Sequence, residues 1–213
     1  IVRDSSSSSC EYLSKTIKFY IIPSLFSSSR TVEMNVIHVK DVVTDDVNIK
    51  KPMSYPSNKL SVFDLYYRNK FFLVLVDRMH VCNIGEKSMR FVFSNSGAER
   101  NRIKSIEMKL LERIRLVDAY APLFENREHR SVMSENDTVL NIRDINGQDT
   151  TVFDLSGNVI DIARLRFQDK ARLILYFKSV WVNERYYGLT VKIAQIERTE
   201  PMGTTVALFP NTV

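Results

Sequence analysis

The 213-residue chain is 44% hydrophobic, 26% charged and 10% aromatic, which supplies apolar material for one core, and its six Gly and six Pro exclude collagen-like and generally disordered classes. The longest apolar run, Phe71 to Val76, falls far short of the roughly 20 residues of a spanning helix, so no membrane partner is expected. Net charge is +5, and 156–199 holds eight basic residues (Arg164, Arg166, Lys170, Arg172, Lys178, Arg185, Lys192, Arg198) against four acidic ones, so four of the five excess charges lie there. Two cysteines, Cys10 and Cys82, are too few for a disulfide framework and fit a reducing intracellular compartment.

The chain opens at Ile1 rather than Met, with no basic flank ahead of an apolar core, so no signal peptide is read there and upstream residues are expected. The Ser-rich stretch makes 1–13 a tail, followed by one domain over 14–198 and a second tail over 199–213. Ser14 to Ile22 and Thr31 to Val43 alternate at period two and predict a strand pair. After Pro52 and Pro56, Leu60 to Tyr67, Lys70 to Val76 and Ser88 to Phe93 are further strand runs. A helix over 97–121 comes next, opened by a capping box at Ser96 and Glu99 and given an apolar stripe by Ile103, Ile106, Leu110, Ile114 and Val117, with Arg102, Lys109 and Arg113 on its charged face. Leu123 to Asn136 reads as a polar loop. Thr138 to Ile145 and Thr150 to Leu155 flank Asn146-Gly147, a tight-hairpin dipeptide. Val159 to Phe167, Lys170 to Val182 and Tyr187 to Ile196 complete the strands, and the whole predicts a mainly β fold, a closed antiparallel barrel or sandwich with one long inserted helix.

Chemistry is sparse. His38, His80 and His129 stand far apart, with His80 and Cys82 the one close pair, so neither a metal nor another cofactor is expected. No phosphate-binding Gly loop and no nucleophile elbow occurs, and Asp45-Asp46 reads as a solvated turn. An enzyme is not expected.

The informative stretch is Lys170 to Lys192. Alternation puts Ala171, Leu173, Leu175 and Phe177 on one face and Lys170, Arg172, Tyr176 and Lys178 on the other; in the next run Leu189, Val191 and Ile193 point inward and Tyr186, Thr190 and Lys192 outward. A face that mixes cations with aromatic rings suits single-stranded nucleic acid, because cations track phosphates and every base has a face that stacks. Arg172, Lys178, Arg185 and Lys192 are the expected phosphate contacts, with Arg164, Arg166 and Lys170 in the same basic segment. Tyr176 and Tyr186 are the expected stacking platforms, and Lys18 and Tyr20 on the first strand would extend the groove. Trp181 shares the parity of Phe177 and is expected to pack in the core, unless a bulge near Ser179 reverses it.

The run Ser179-Val180-Trp181-Val182, the turn Asn183-Glu184-Arg185, then Tyr186-Tyr187-Gly188 and an alternating strand to Gln195 resembles the C-terminal hairpin of viral single-stranded DNA-binding proteins with an OB-fold, those of baculoviruses being nearest. The resemblance covers about residues 156 to 198. It implies an OB-fold-like barrel and non-sequence-specific coating of single-stranded DNA. It also implies duplex destabilisation during viral DNA replication, self-association along the strand, viral replication proteins as partners and location in the host nucleus. The Pro210-Asn211-Thr212-Val213 ending lacks the acidic tail of functionally related phage and bacterial proteins, which argues against that mode of partner recruitment. The competing expectation is a structural or protein-interaction β-domain without nucleic-acid affinity.

Overall fold

Alternating apolar side chains carry about half of the described residues into strands. In a computed structural model that describes residues 35–85, 88–93, 97–134, 138–143 and 150–200, seven strands precede the helix: β1 (Val36–His38), β2 (Val47–Ile49), β3 (Met53–Tyr55), β4 (Leu60–Tyr67), β5 (Lys70–Phe71), β6 (Leu73–Ile84) and β7 (Ser88–Phe93). Helix α1 (Ala98–Arg115) is next, then β8 (Glu128–Arg130), β9 (Val139–Arg143), β10 (Thr151–Phe153), β11 (Val159–Ile160), β12 (Lys170–Val182) and β13 (Tyr186–Glu200). All described residues belong to one of two units of the chain, Val32–Val213.

The long antiparallel hairpin β12–β13 organises the rest. Along one edge of β12, β6 pairs with its first half (Lys170 to Tyr176) and β4 with its second (Ser179 to Val182). Likewise β13 carries β8 beside Tyr186 to Gly188 and β10 beside Gln195 to Glu197. Register shifts between Ile174 and Leu175 and between Phe177 and Ser179 bend the hairpin, as a bulge does, so that one pair of strands serves two differently directed parts of the sheet.

The expected closed antiparallel barrel is not what the pairing shows. The strand path runs open from β11 through β10, β13, β12, β6 and β7 to β9, and β1–β6, β10–β13 and β8–β13 are parallel. Between the two parts, the chain after β8 reaches β9: Asn141 N–H donates to Val132 O (2.9 Å) and Ser134 N–H to Val139 O (2.8 Å). The residues expected as a polar loop over 123–136 therefore include β8 and three buried side chains, Phe124, Val132 and Met133.

Helix α1 buries Ile103, Ile106, Leu110 and Ile114 at 0–2% exposure. It ends at Arg115, six residues before the expected boundary, and leaves Leu116 and Val117 74% and 44% exposed. Its N-cap is Gly97, and Ser96 lies outside the described residues. Nor are Arg102 and Arg113 a solvated face: they donate to the carbonyls of Val42 and Thr44, tying the helix to the turns at Val39–Asp41 and Thr44–Asp46. The hairpin expected across Asn146-Gly147 does not form, since β9 pairs with β7, and β10 with β13 and β11. That dipeptide, and the expected strand at Ser14 to Ile22, lie outside the described residues. Val159 to Phe167 shortens to β11 and a turn at Ile162–Arg164, whose N-cap Asp161 accepts the Ala163 N–H at 2.8 Å.

Glu107, fully buried on α1, accepts from His129 Nε2 (3.2 Å), Ser131 Oγ (2.6 Å) and Val132 N–H (3.1 Å). One carboxylate thereby pins the segment that joins β8 to β9. Glu107→Ala strands those donors, and chemical denaturation is expected to show a loss of about 3 kcal/mol. A loss under about 0.5 kcal/mol, the level of an ordinary surface substitution, would contradict the pinning role.

Candidate nucleic-acid interface

The first half of β12, and β13 as far as Ile193, keep the expected parity; the register shift at Ala194 then turns Ile196 inward. Ala171, Leu173, Leu175 and Phe177 are each 0% exposed, and Leu189, Val191 and Ile193 are buried on β13. The register shift between Phe177 and Ser179 leaves Lys178 unpaired and exposed and reverses the parity of the rest of β12. Val180 and Val182 turn inward, while Trp181 moves to the outer face, half-buried, in correction of its expected core position.

Across that outer face Trp181 stands opposite Gly188 on β13 and Val62 on β4, and Val62 stands opposite Met53 on β3. Glycine is required at 188, because a Cβ there would lie 2.4 Å from Arg130 O and 3.2 Å from Trp181 Cζ2. Tyr186 shares this face, and the Arg130 guanidinium of β8 covers its ring at 3.6 Å. The turn before it is tight: Asn183 N–H donates to Tyr186 O (2.8 Å), and Asn183 Oδ1 accepts the N–H groups of Arg185 and Tyr186 (2.9 and 2.8 Å). Lys59 pairs with Glu184 at the same tip, and Arg185 is exposed beside it.

Five residues back along β12, about 16 Å away, lies a second aromatic group. Tyr176 meets Phe71 edge to face at 5.6 Å, Phe71 meets Tyr66 at 6.5 Å, and Lys50 Nζ sits 5.0 Å from the Tyr66 ring. Burial pushes the Tyr176 phenol up to about 12, with Tyr66 and Asp64 adding to the shift. Lys192 is the cross-strand partner of Tyr176. The outer face of β4, β5, β12 and β13 thus carries Tyr66, Phe71, Tyr176, Trp181 and Tyr186, with Lys50, Arg130, Lys178 and Lys192 among or beside them. Asp64 is the carboxylate between the two aromatic groups.

The remaining expected residues lie elsewhere. Arg172 is engaged by Glu197 through two bonds (3.0 and 2.7 Å) and lies 3.9 Å from Asp77. Lys170 pairs with Glu200 at 2.5 Å. Arg164 and Arg166 are exposed around a separate groove near Arg198. Lys18 and Tyr20 lie outside the described residues. The sequence reading missed Arg130, Tyr66, Phe71 and Lys50. Arg130 sat in an expected loop, and the other three reach the surface only through pairings of β4 that no local spacing announces.

The fold also gathers His38, Asp77 and Glu99, whose ligand atoms lie within 4.8 Å of one another. Lys40 N–H donates to His38 Nδ1 (3.2 Å), which leaves the proton of a neutral ring on Nε2, 3.1 Å from Asp77 Oδ2 and 3.6 Å from Glu99 Oε1. That tautomer makes the cluster a hydrogen-bonded group rather than an open ligand set. Burial pushes the Glu99 carboxyl up, the Asp77 charge adding to it and His38 opposing.

No family model and no curated protein matches the chain. Solved structures that resemble it include the single-stranded DNA-binding protein from bacteriophage Enc34, with a TM-score of 0.42 and 9% identity over 75% of this chain and 95% of that one. The same phage protein in complex with ssDNA gives a TM-score of 0.42 and 9% identity over 71% and 96%. Its C-terminal truncation gives 0.40 and 8% over 76% and 99%. A likeness this distant carries no residue-to-residue correspondence.

Gly188→Ala tests the geometry of the Trp181 row. The added methyl has to displace Arg130 O or the indole, so we expect lower thermal stability together with a shifted emission of the one tryptophan. An unchanged melting temperature and spectrum would contradict the close approach.

Proposed function

We propose that the outer face of β4, β12 and β13 binds single-stranded DNA without reading its sequence. The observation that carries this reading is the placement of Trp181, Tyr186 and Tyr176 on one outward face, with Lys178, Lys192, Arg130 and Lys50 close to them. Rings set along one face offer π-faces to bases at separate points of a strand, while cations beside them meet phosphates, and no edge of a base is read. Tyr186 already holds a stacked guanidinium, so a base would take its other face or exchange with Arg130. The bent hairpin fits an OB-like barrel whose ladder is interrupted between β8 and β9. Coating of the strand in viral DNA replication, duplex destabilisation, self-association, contact with replication proteins and a place in the host nucleus belong to the same proposal and rest on the hairpin motif at 179–195.

A second reading, a protein-interaction β-domain, is favoured by a different surface. Met108 and Leu116, 49% and 74% exposed, line a groove at the end of α1 with Phe124 and Tyr187.

Titration with oligo(dT) over a range of salt separates the two. Engagement of about four phosphates predicts a slope of log affinity against log salt near −3, at about −0.7 per phosphate. Tyr186→Ala is expected to weaken binding by about 1 to 3 kcal/mol with its melting temperature retained. Absence of measurable affinity, or a flat salt response, would remove the strand-binding reading and leave the interaction domain.

A further inference from the structure

A groove of about 570 Å³ opens between the turn at Ile162–Arg164, β11 and the end of β13, and Arg164, Arg166 and Arg198 line it together with Asp154 and Asp169. Its carboxylates are already engaged. Asp154 accepts the N–H groups of Ser156 and Asn158 (both 2.9 Å) and the Asn158 amide (3.3 Å). Asp169, 1% exposed, accepts the Arg166 N–H at 2.9 Å and stands 3.7 Å from Arg198 Nη1. The guanidiniums are less well served. Arg198 Nε is buried with no hydrogen-bond partner among the described residues, and the heads of Arg164 and Arg166 make no ion pair with a described residue. Three guanidiniums against two carboxylates leave one positive charge over, and a buried donor without an acceptor is a cost that an incoming oxyanion removes.

We infer that this groove is a phosphate-binding subsite. Guanidinium donors form a planar fork that matches two phosphate oxygens at once, which an ammonium does not offer. The three arginines come from two places, Arg164 and Arg166 from the loop before β12 and Arg198 from the strand opposite Ala171, so a phosphate between them would clamp loop to sheet. The site lies beyond the end of the aromatic face: Ala171 and Tyr176, its nearest ring on β12, are five residues apart, about 16 Å at the rise of a strand. The groove needs only a phosphate group, whether a free ion, a strand terminus or an internal phosphodiester, so it stands apart from the strand-binding proposal.

Calorimetric titration at fixed ionic strength tests it, with inorganic phosphate and with oligo(dT) carrying or lacking a 5′-phosphate as probes. The proteins are wild type, Arg164→Gln/Arg166→Gln, whose exposed positions leave the core untouched, and Arg198→Lys, which keeps the charge and removes Nε. Phosphate binding that weakens about tenfold in both variants is the expected result. A 5′-phosphate preference of about tenfold that disappears in the variants supports the site with a strand terminus as its source. Equal affinity for both oligonucleotides, weakened alike in the variants, supports it with an internal phosphodiester. Phosphate binding without any oligonucleotide binding keeps the subsite and removes the strand-binding proposal. Oligonucleotide binding unaltered in both variants, with no detectable phosphate binding in wild type, overturns the subsite and leaves that proposal standing.

Discussion

One unpaired residue governs the surface of this molecule. Lys178 has no cross-strand partner on β13, where Phe177 faces Val191 and Ser179 faces Thr190, and from there on β12 presents the opposite face. Without that shift, period-two alternation would send Trp181 into the core and turn Val180 and Val182 to solvent. With it, the core keeps two small β-branched residues and the outer face gains the indole. The same place marks the change of neighbour from β6 to β4, so the bulge decides both which way the rings point and which strand supplies Val62 and Tyr66 beside them.

The two ends of the hairpin have different electrostatic character as a result. Toward its closed end, cations stand over or beside rings, Arg130 on Tyr186, Lys50 on Tyr66 and Lys192 opposite Tyr176, although Lys59 meets the Glu184 carboxylate at the tip. Toward the open end, Arg172 and Lys170 stand against carboxylates, those of Glu197 and Glu200. An Arg held by two bonds to a carboxylate gains little from a phosphate, since the new bond replaces an equally good one. The excess positive charge of 156–199 is therefore not one continuous patch, and the closed end is where a polyanion meets rings and cations together.

The strand runs around the hairpin were legible because burial imposes alternation on side chains, and Leu60–Tyr67, Ser88–Phe93 and Lys170–Val182 match the expected runs at both ends. An extra residue in a β-rich run bears no compositional mark, so parity alone favoured a core Trp181; the alternative, a bulge near Ser179 that turns Trp181 outward, is the one the structure has. Short strands in polar surroundings were invisible for a related reason. Glu128-His129-Arg130 alternates too briefly to stand out, and only its pairing with Tyr186 to Gly188 makes it a strand. The excess charge of 156–199 can be counted from the sequence, but the partners of Arg172 and Lys170 lie 25 and 30 residues away, and sequence spacing does not show which cations a folded chain has already matched.

Emission of Trp181 under saturating oligo(dT), at constant ionic strength, tests the aromatic face most directly, because the chain has a single tryptophan and its signal needs no assignment. An indole on the outer face beside Gly188 predicts strong quenching that saturates with binding, and loss of affinity in Trp181→Ala with the fold retained. Oligonucleotide binding that leaves the Trp181 spectrum unchanged would place the strand elsewhere on the molecule and contradict a binding role for this face.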